Sequence, residues 1–147
     1  MNRGFTLIEL LVTLALVVLL STLAVPGFNS MISTNRLAAD YNEILASLHY
    51  ARSEAAKRRK DVTADVSSDA SGAWIVSVTY QPDASSAVET LKVREARDGR
   101  VSLSGLNEVV FNSLGRRESC SADPCTLSVQ LGGDSHSLEV YPTGNIN

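Results

Sequence analysis

One carboxylate stands near the start of the most apolar segment of the chain. Glu9 is the only charged residue between Arg3 and Arg36, and it lies in residues 4–9, which lead directly into an apolar run. A charge inside a membrane-spanning helix is costly, so it is expected to have a function and a partner of opposite charge. The chemistry that this position predicts is charge pairing within the membrane.

The apolar run, residues 7–25, has the composition and length of a helix that crosses a bilayer. Such a helix reaches roughly 28 Å at about 1.5 Å per residue. Arg3 precedes it and the next basic residue is Arg36, which predicts a cytoplasmic N-terminus and a single pass. A cleaved secretory signal peptide is disfavoured, because its core typically has about 7 to 15 apolar residues and tolerates a carboxylate poorly.

The segment Gly4-Phe5-Thr6-Leu7-Ile8-Glu9, with the apolar run behind it, resembles the processing site of type IV prepilins and type II secretion pseudopilins. The resemblance implies that a prepilin peptidase cuts between Gly4 and Phe5 and methylates the new amine of Phe5. Residues 1–4 are then a leader, and residues 5–27 are the transmembrane and assembly half of the N-terminal helix. It also implies that Glu9 pairs with the terminal amine of a neighbouring subunit. Such pairing would neutralise both charges on docking and favour departure from the lipid.

A kink or local unwinding is expected at Pro26 and Gly27, because proline removes one helical hydrogen bond and disfavours the helical conformation of the preceding residue. Pro26 also suits the point where the helix leaves the membrane. A globular domain is predicted over residues 28–147. Within it, apolar residues recur at three- to four-residue steps over residues 28–60, as in an amphipathic helix.

Short β-prone runs broken by turn residues make up residues 61–147, and they predict about five to seven strands. With the resemblance, the predicted fold class is α+β and pilin-like. A long N-terminal helical stem, membrane-spanning in its first half, packs on a C-terminal antiparallel β-sheet domain. The predicted strands are residues 62–66, 73–80, 90–95, 101–103, 108–112, 126–131 and 137–141.

Cys120 and Cys125 lie on the side of the membrane where oxidising conditions are expected, so a disulfide is predicted that pins the loop between two strands. A metal site is disfavoured because the C-x2-C spacing is missing and His136 is the only nearby candidate ligand. We expect no metal, no cofactor and no enzymatic activity, because His49 and His136 lie on different predicted elements and no nucleophile elbow or phosphate loop occurs.

Basic residues cluster at two places that could contact DNA or another anion. The candidate contacts are Lys57, Arg58, Arg59, Lys60, Arg116 and Arg117. The first four also suit the negative end of the helix macrodipole, which is the favoured interpretation. Without Arg3, 12 of the 13 lysines and arginines remain against 16 acidic residues, a net charge of −4 that opposes nucleic-acid binding.

Three further segments narrow the resemblance to minor pilins and pseudopilins of the GspH, FimT and FimU type. They are residues 48–55, residues 109–112 with Gly115 and Arg116, and residues 140–144. One class of that group binds DNA through an arginine-rich motif near the C-terminus, but residues 143–147 contain no arginine here. The resemblance implies a minor pilin that starts assembly of a type IV pilus or stands in its tip complex. A type II secretion pseudopilin, a DNA-receptor pilin and a major pilin are the alternatives.

The implied partners are major and minor pilins, the prepilin peptidase, the inner-membrane assembly platform and, before assembly, membrane lipid, with DNA the least favoured. The implied location is the inner membrane, with the C-terminal domain in the periplasm, and then the pilus at the cell surface.

Overall fold

The computed structural model describes the chain over residues 5–147, with the side chains of residues 23–26 left out. The predicted leader, residues 1–4, lies outside the described residues. The chain divides into two compact units, the second of which is Arg36–Asn147.

One helix, α1, spans Leu7–Arg58 and belongs to both units. It continues through Pro26 and Gly27, and a kink there stays a prediction. At its C-terminal end Arg59 adopts a left-handed conformation with φ 56°, and the Lys60 N–H donates to the Ala55 carbonyl at 3.3 Å. This is the Schellman arrangement, which ends the helix by satisfying a free carbonyl. The helix thus stops two residues before the predicted end.

In the first unit, α1 exposes its large apolar side chains on every side. Each large apolar side chain of residues 7–20 is more than half exposed, with Leu7 at 76%. The helix is long and apolar enough to cross a membrane. Surface of this kind is unfavourable in water and needs lipid or neighbouring protein to cover it.

The second unit contains two antiparallel sheets. The described residues form eight strands: β1 Val62–Ser68, β2 Trp74–Tyr80, β3 Glu89–Glu95, β4 Ser102–Gly105, β5 Glu108–Phe111, β6 Arg117–Cys120, β7 Thr126–Leu131 and β8 Asp134–Glu139. The larger sheet has the order β3-β2-β1-β5-β6, and the smaller has the order β4-β7-β8. Seven of these strands overlap predicted ones, and β6 was not predicted.

The predicted count of five to seven strands is too low because β6 was missed, and the start of β8 was placed three residues too late. Strand β6 has the polar sequence Arg-Glu-Ser-Cys and no apolar alternation, so it is a strand because it pairs with β5. Strand β8 begins at Asp134 rather than at residue 137, because Gly132 and Gly133 alone form the turn between Leu131 and Asp134. Gly132 has φ 63°, which glycine adopts without strain.

The core of the second unit lies between the sheets and one face of α1. Ile44, Leu48 and Ala51 on the helix are fully buried, as are Trp74 and Phe111 on the larger sheet. Full burial of a large apolar side chain stabilises the fold by about 1.5–3 kcal/mol. The predicted amphipathic helix packed on a sheet is confirmed.

Candidate functional site

The start of α1 is a reciprocal capping box between Thr6 and Glu9. The Thr6 backbone N–H and the Thr6 hydroxyl both donate to Glu9 Oε2, each at 3.1 Å. In return the Glu9 N–H donates to Thr6 Oγ1 at 3.3 Å. A helix start leaves backbone N–H groups without partners, and this arrangement satisfies two of them. The carboxylate of Glu9 is thus fixed by Thr6 at the beginning of the apolar segment.

One carboxylate oxygen of Glu9, Oε1, is left to accept a hydrogen bond from another group. Within the described residues Oε1 accepts no hydrogen bond, since both contacts from Thr6 reach Oε2. Phe5, the residue before the cap, is 94% exposed. Gly4 lies outside the described residues, so cleavage and methylation at Gly4 and Phe5 stay predictions. A carboxylate oxygen without a donor can accept an ammonium group, which in apolar surroundings is strongly favoured over no partner.

The predicted disulfide between Cys120 and Cys125 is present, with Cα atoms 5.9 Å apart. Cys120 is the last residue of β6, and Cys125 immediately precedes β7. The bridge therefore closes the connection between an edge strand of the larger sheet and the central strand of the smaller one. The predicted disulfide between two strands is confirmed, and its role in pinning the loop stays a prediction.

The basic run at the end of α1 is largely paired with carboxylates. Glu54 is only 6% exposed and accepts from Lys57 Nζ at 3.1 Å and Arg58 Nε at 2.9 Å. Arg58 also reaches Glu89 at 3.3 Å, and Lys60 Nζ lies 3.5 Å from an oxygen of Asp83. The hydrogen bonds from Arg58, and then from Lys57, lower the pKa of Glu54.

Arg59 is the one member of this run that makes no salt bridge within the described residues. The charges of the other three are compensated locally, which weakens the case for DNA contact at this end of the helix. A phosphate backbone would have to compete with carboxylates already in place.

The second basic cluster, Arg116 and Arg117 at the turn between β5 and β6, packs against the C-terminal segment of the chain. Arg117 Nη1 donates to the Val140 carbonyl at 2.7 Å, so part of this side chain serves the fold. Gly144, with φ 82°, lies so close that a Cβ there would overlap the Gly115 carbonyl. Arg52 Nε on α1 donates to the same carbonyl at 3.1 Å. The sequence reasoning missed Arg52 and Gly144, since nothing in the spacing of these residues indicates the contacts.

Asp40, a half-buried carboxyl of α1, has a raised pKa, whereas the pKa of Glu54 is lowered. Burial raises the pKa of Asp40, while the Trp74 indole and the Arg36 guanidinium lower it by smaller amounts. The ion pair between Arg36 and Asp98, 3.1 Å, lies nearby and ties the helix to the connection after β3. This group therefore belongs to the packing of the helix on the sheet, and the described residues contain no cluster of ligands for a metal.

Comparisons with known proteins agree with this architecture. Residues 40–144 match the family described as "Type II transport protein GspH", and residues 1–25 match the prokaryotic N-terminal methylation motif. No curated protein matches the chain.

The fold is similar to crystal structures of the type IV minor pilin FimU of Pseudomonas aeruginosa strain PAO1. In one crystal form the TM-score is 0.60 at 21% identity, over 78% of this chain and 88% of FimU. In the other it is 0.53 at 19% identity, over 72% and 86%. The predicted α+β, pilin-like fold class is confirmed, and the apolar helix behind a methylation motif indicates membrane anchoring. With a family match over most of its length and the fold of a pilin, this chain belongs to the GspH family of pilin-like structural proteins.

Proposed function

We propose that this chain is a minor pilin of a type IV pilus that takes part in starting assembly or in the tip complex. The observation that carries the proposal is the uncovered apolar surface of α1 in residues 7–20, with Glu9 capped at its beginning. Lipid covers this surface first, and the helices of neighbouring pilins cover it after assembly.

The proposed sequence of events begins with hydrolysis of the Gly4–Phe5 peptide bond by prepilin peptidase. Water adds across the bond, which leaves a carboxylate on Gly4 and a free amine on Phe5. A methyl group from a sulfonium methyl donor then replaces one proton of this amine, which can still be protonated and so keeps its positive charge. The amine of one subunit then pairs with Glu9 of the next, at the oxygen that Thr6 leaves free.

Before assembly, the proposed location is the inner membrane, with the second unit in the periplasm. There the chain meets the assembly platform and the other pilins. After assembly it is a sparse component of the pilus at the cell surface. The Cys120–Cys125 disulfide supports an oxidising compartment for the second unit.

A minor pseudopilin of a type II secretion system is the second candidate, because the matching family is described as a type II transport protein. The two functions require the same processed helix and differ in the filament that receives it. A gene deletion separates them. Loss of surface filaments with trace incorporation of this chain in the wild type supports the minor pilin. Normal filaments with lost protein secretion support the pseudopilin instead.

A further inference from the structure

A groove runs between the outward face of α1 and the turn that joins β5 to β6. His49, Arg52, Ser53 and Ala56 lie on one stripe of the helix, beside the buried face, and Leu114 and Gly115 form the other wall. The groove has a volume of about 330 Å³. This is room for a side chain or two, and all of its walls belong to the second unit.

Arg52 is held in place at the wall of this groove. Its Nε donates to the Gly115 carbonyl at 3.1 Å, and the side chain is half-buried. A Cβ at Gly115 would lie 3.3 Å from Arg52 Cγ, so glycine lets the turn rest on the arginine. The terminal guanidinium nitrogens make no hydrogen bond to any described residue. Arginine presents these donors in a fork that matches a carboxylate.

Within the part of the chain that the structure describes, three arginines around this turn have no carboxylate partner, whereas most of the basic run at the end of α1 is paired. Six basic residues form salt bridges, namely Arg36, Lys57, Arg58, Lys60, Arg94 and Arg100. Among the described residues, none of Arg52, Arg116 and Arg117 has a carboxylate within salt-bridge distance. The whole chain carries a net charge of −3, so this patch stands out against an acidic background.

Leu114 adds an apolar contact at the rim of the groove. It is 73% exposed, more than any other large apolar side chain of Arg36–Asn147. A guanidinium fixed by one hydrogen bond, beside an exposed leucine, has the composition of a protein-binding centre, where arginine anchors are common.

We propose that this groove binds an acidic side chain of another filament subunit, with the carboxylate on the free guanidinium nitrogens of Arg52 and a neighbouring apolar residue of the partner against Leu114. The inference rests on the proposed function, which supplies the partner. A protein is favoured over nucleic acid because the chain as a whole is acidic and repels a phosphate backbone.

The test uses the full chain in cells that assemble filaments, with the photoreactive residue p-benzoylphenylalanine in place of exposed Ser53. Cross-linked peptides are identified by mass spectrometry. We expect an adduct with a second subunit whose cross-linked peptide contains Asp or Glu. Arg52→Glu should lower the adduct yield about tenfold, as expected for loss of a charge-assisted pair. Replacing the partner carboxylate by arginine should then restore it.

Arg97→Glu is the matched control, because Arg97 is exposed, makes no salt bridge within the described part of the chain and lies outside the groove. Urea unfolding of each purified variant, followed by the fluorescence of buried Trp74, verifies folding, and Arg52→Lys gives a second variant that keeps the charge. The proposal is overturned if no adduct forms or if the adduct is with nucleic acid. It is also overturned if the adduct survives Arg52→Glu or if the cross-linked partner peptide contains no carboxylate. The proposed function fails separately if the wild-type chain is absent from filaments. The groove can still be tested in that case, because cross-linking of the Arg52→Glu chain to the partner that carries arginine can be measured in membranes.

Discussion

The substitution Glu54→Gln tests whether the basic run at the end of α1 serves the fold. Glu54 is nearly buried and accepts two charge-assisted hydrogen bonds, at 2.9 Å from Arg58 and 3.1 Å from Lys57. A hydrogen bond to a charged group contributes about 1.5–3 kcal/mol, and an exposed ion pair about 0–1 kcal/mol. The pair between Lys57 and Glu54 contributes in the lower range, because Lys57 is 75% exposed. We therefore expect the substitution to lower the free energy of unfolding by about 2 kcal/mol.

The assay is urea unfolding of the full chain in detergent, followed by the fluorescence of Trp74, the only tryptophan. In the folded state the pKa of Glu54 lies below its ordinary value of 4.5, so the stabilising effect is complete well above pH 4.5 and is lost as the pH falls through the folded-state pKa. The gap between wild type and variant should be constant from pH 7 to about pH 5.5 and close under more acidic conditions. Exposed Glu95, replaced by Gln, is the control. A variant no less stable than this control, or a gap that is unchanged in acid, refutes the reasoning.

Four further outcomes are expected. A bulky residue at Gly4 should leave an uncut precursor in the membrane on immunoblots, and normal processing would contradict the peptidase assignment. Glu9→Ala should still be cut but should enter filaments poorly, as measured in sheared filaments; full incorporation would remove the charge-pairing argument. Gly144→Ala should lower the free energy of unfolding by about 1–3 kcal/mol, because the new Cβ meets a backbone carbonyl at a positive φ, whereas Gly133→Ala, with open space around it, should cost much less. If the chain binds DNA, affinity should fall steeply with salt and vanish when Arg116 and Arg117 both become Gln; salt-insensitive or absent binding would end that hypothesis.

The elements with strong local patterns were predicted closely. Strand β7 was predicted with its observed bounds, and β2 was predicted to within one residue, with Trp74, Val76 and Val78 alternating into the core. Period-two alternation needs only near neighbours in the sequence, since one face of a strand is buried. Strand β6 has no such pattern, because an edge strand can be polar on both faces and depends on its partner for pairing. Strand β6 can be recognised only from its hydrogen-bonded pairing with β5.

The N-terminal motif and the carboxylate behind it are legible from the residues alone. A carboxylate at the start of a long apolar helix, behind a matching processing motif, indicates function because the membrane makes any charge there costly. The contacts of the basic residues in the second unit became visible only in the folded chain. It pairs Lys57 and Arg58 with Glu54 and leaves the outer nitrogens of Arg52 free beside a turn 63 residues later in the chain. Long-range contacts of this kind depend on how the sheets pack against the helix, which residue spacing along the chain does not encode.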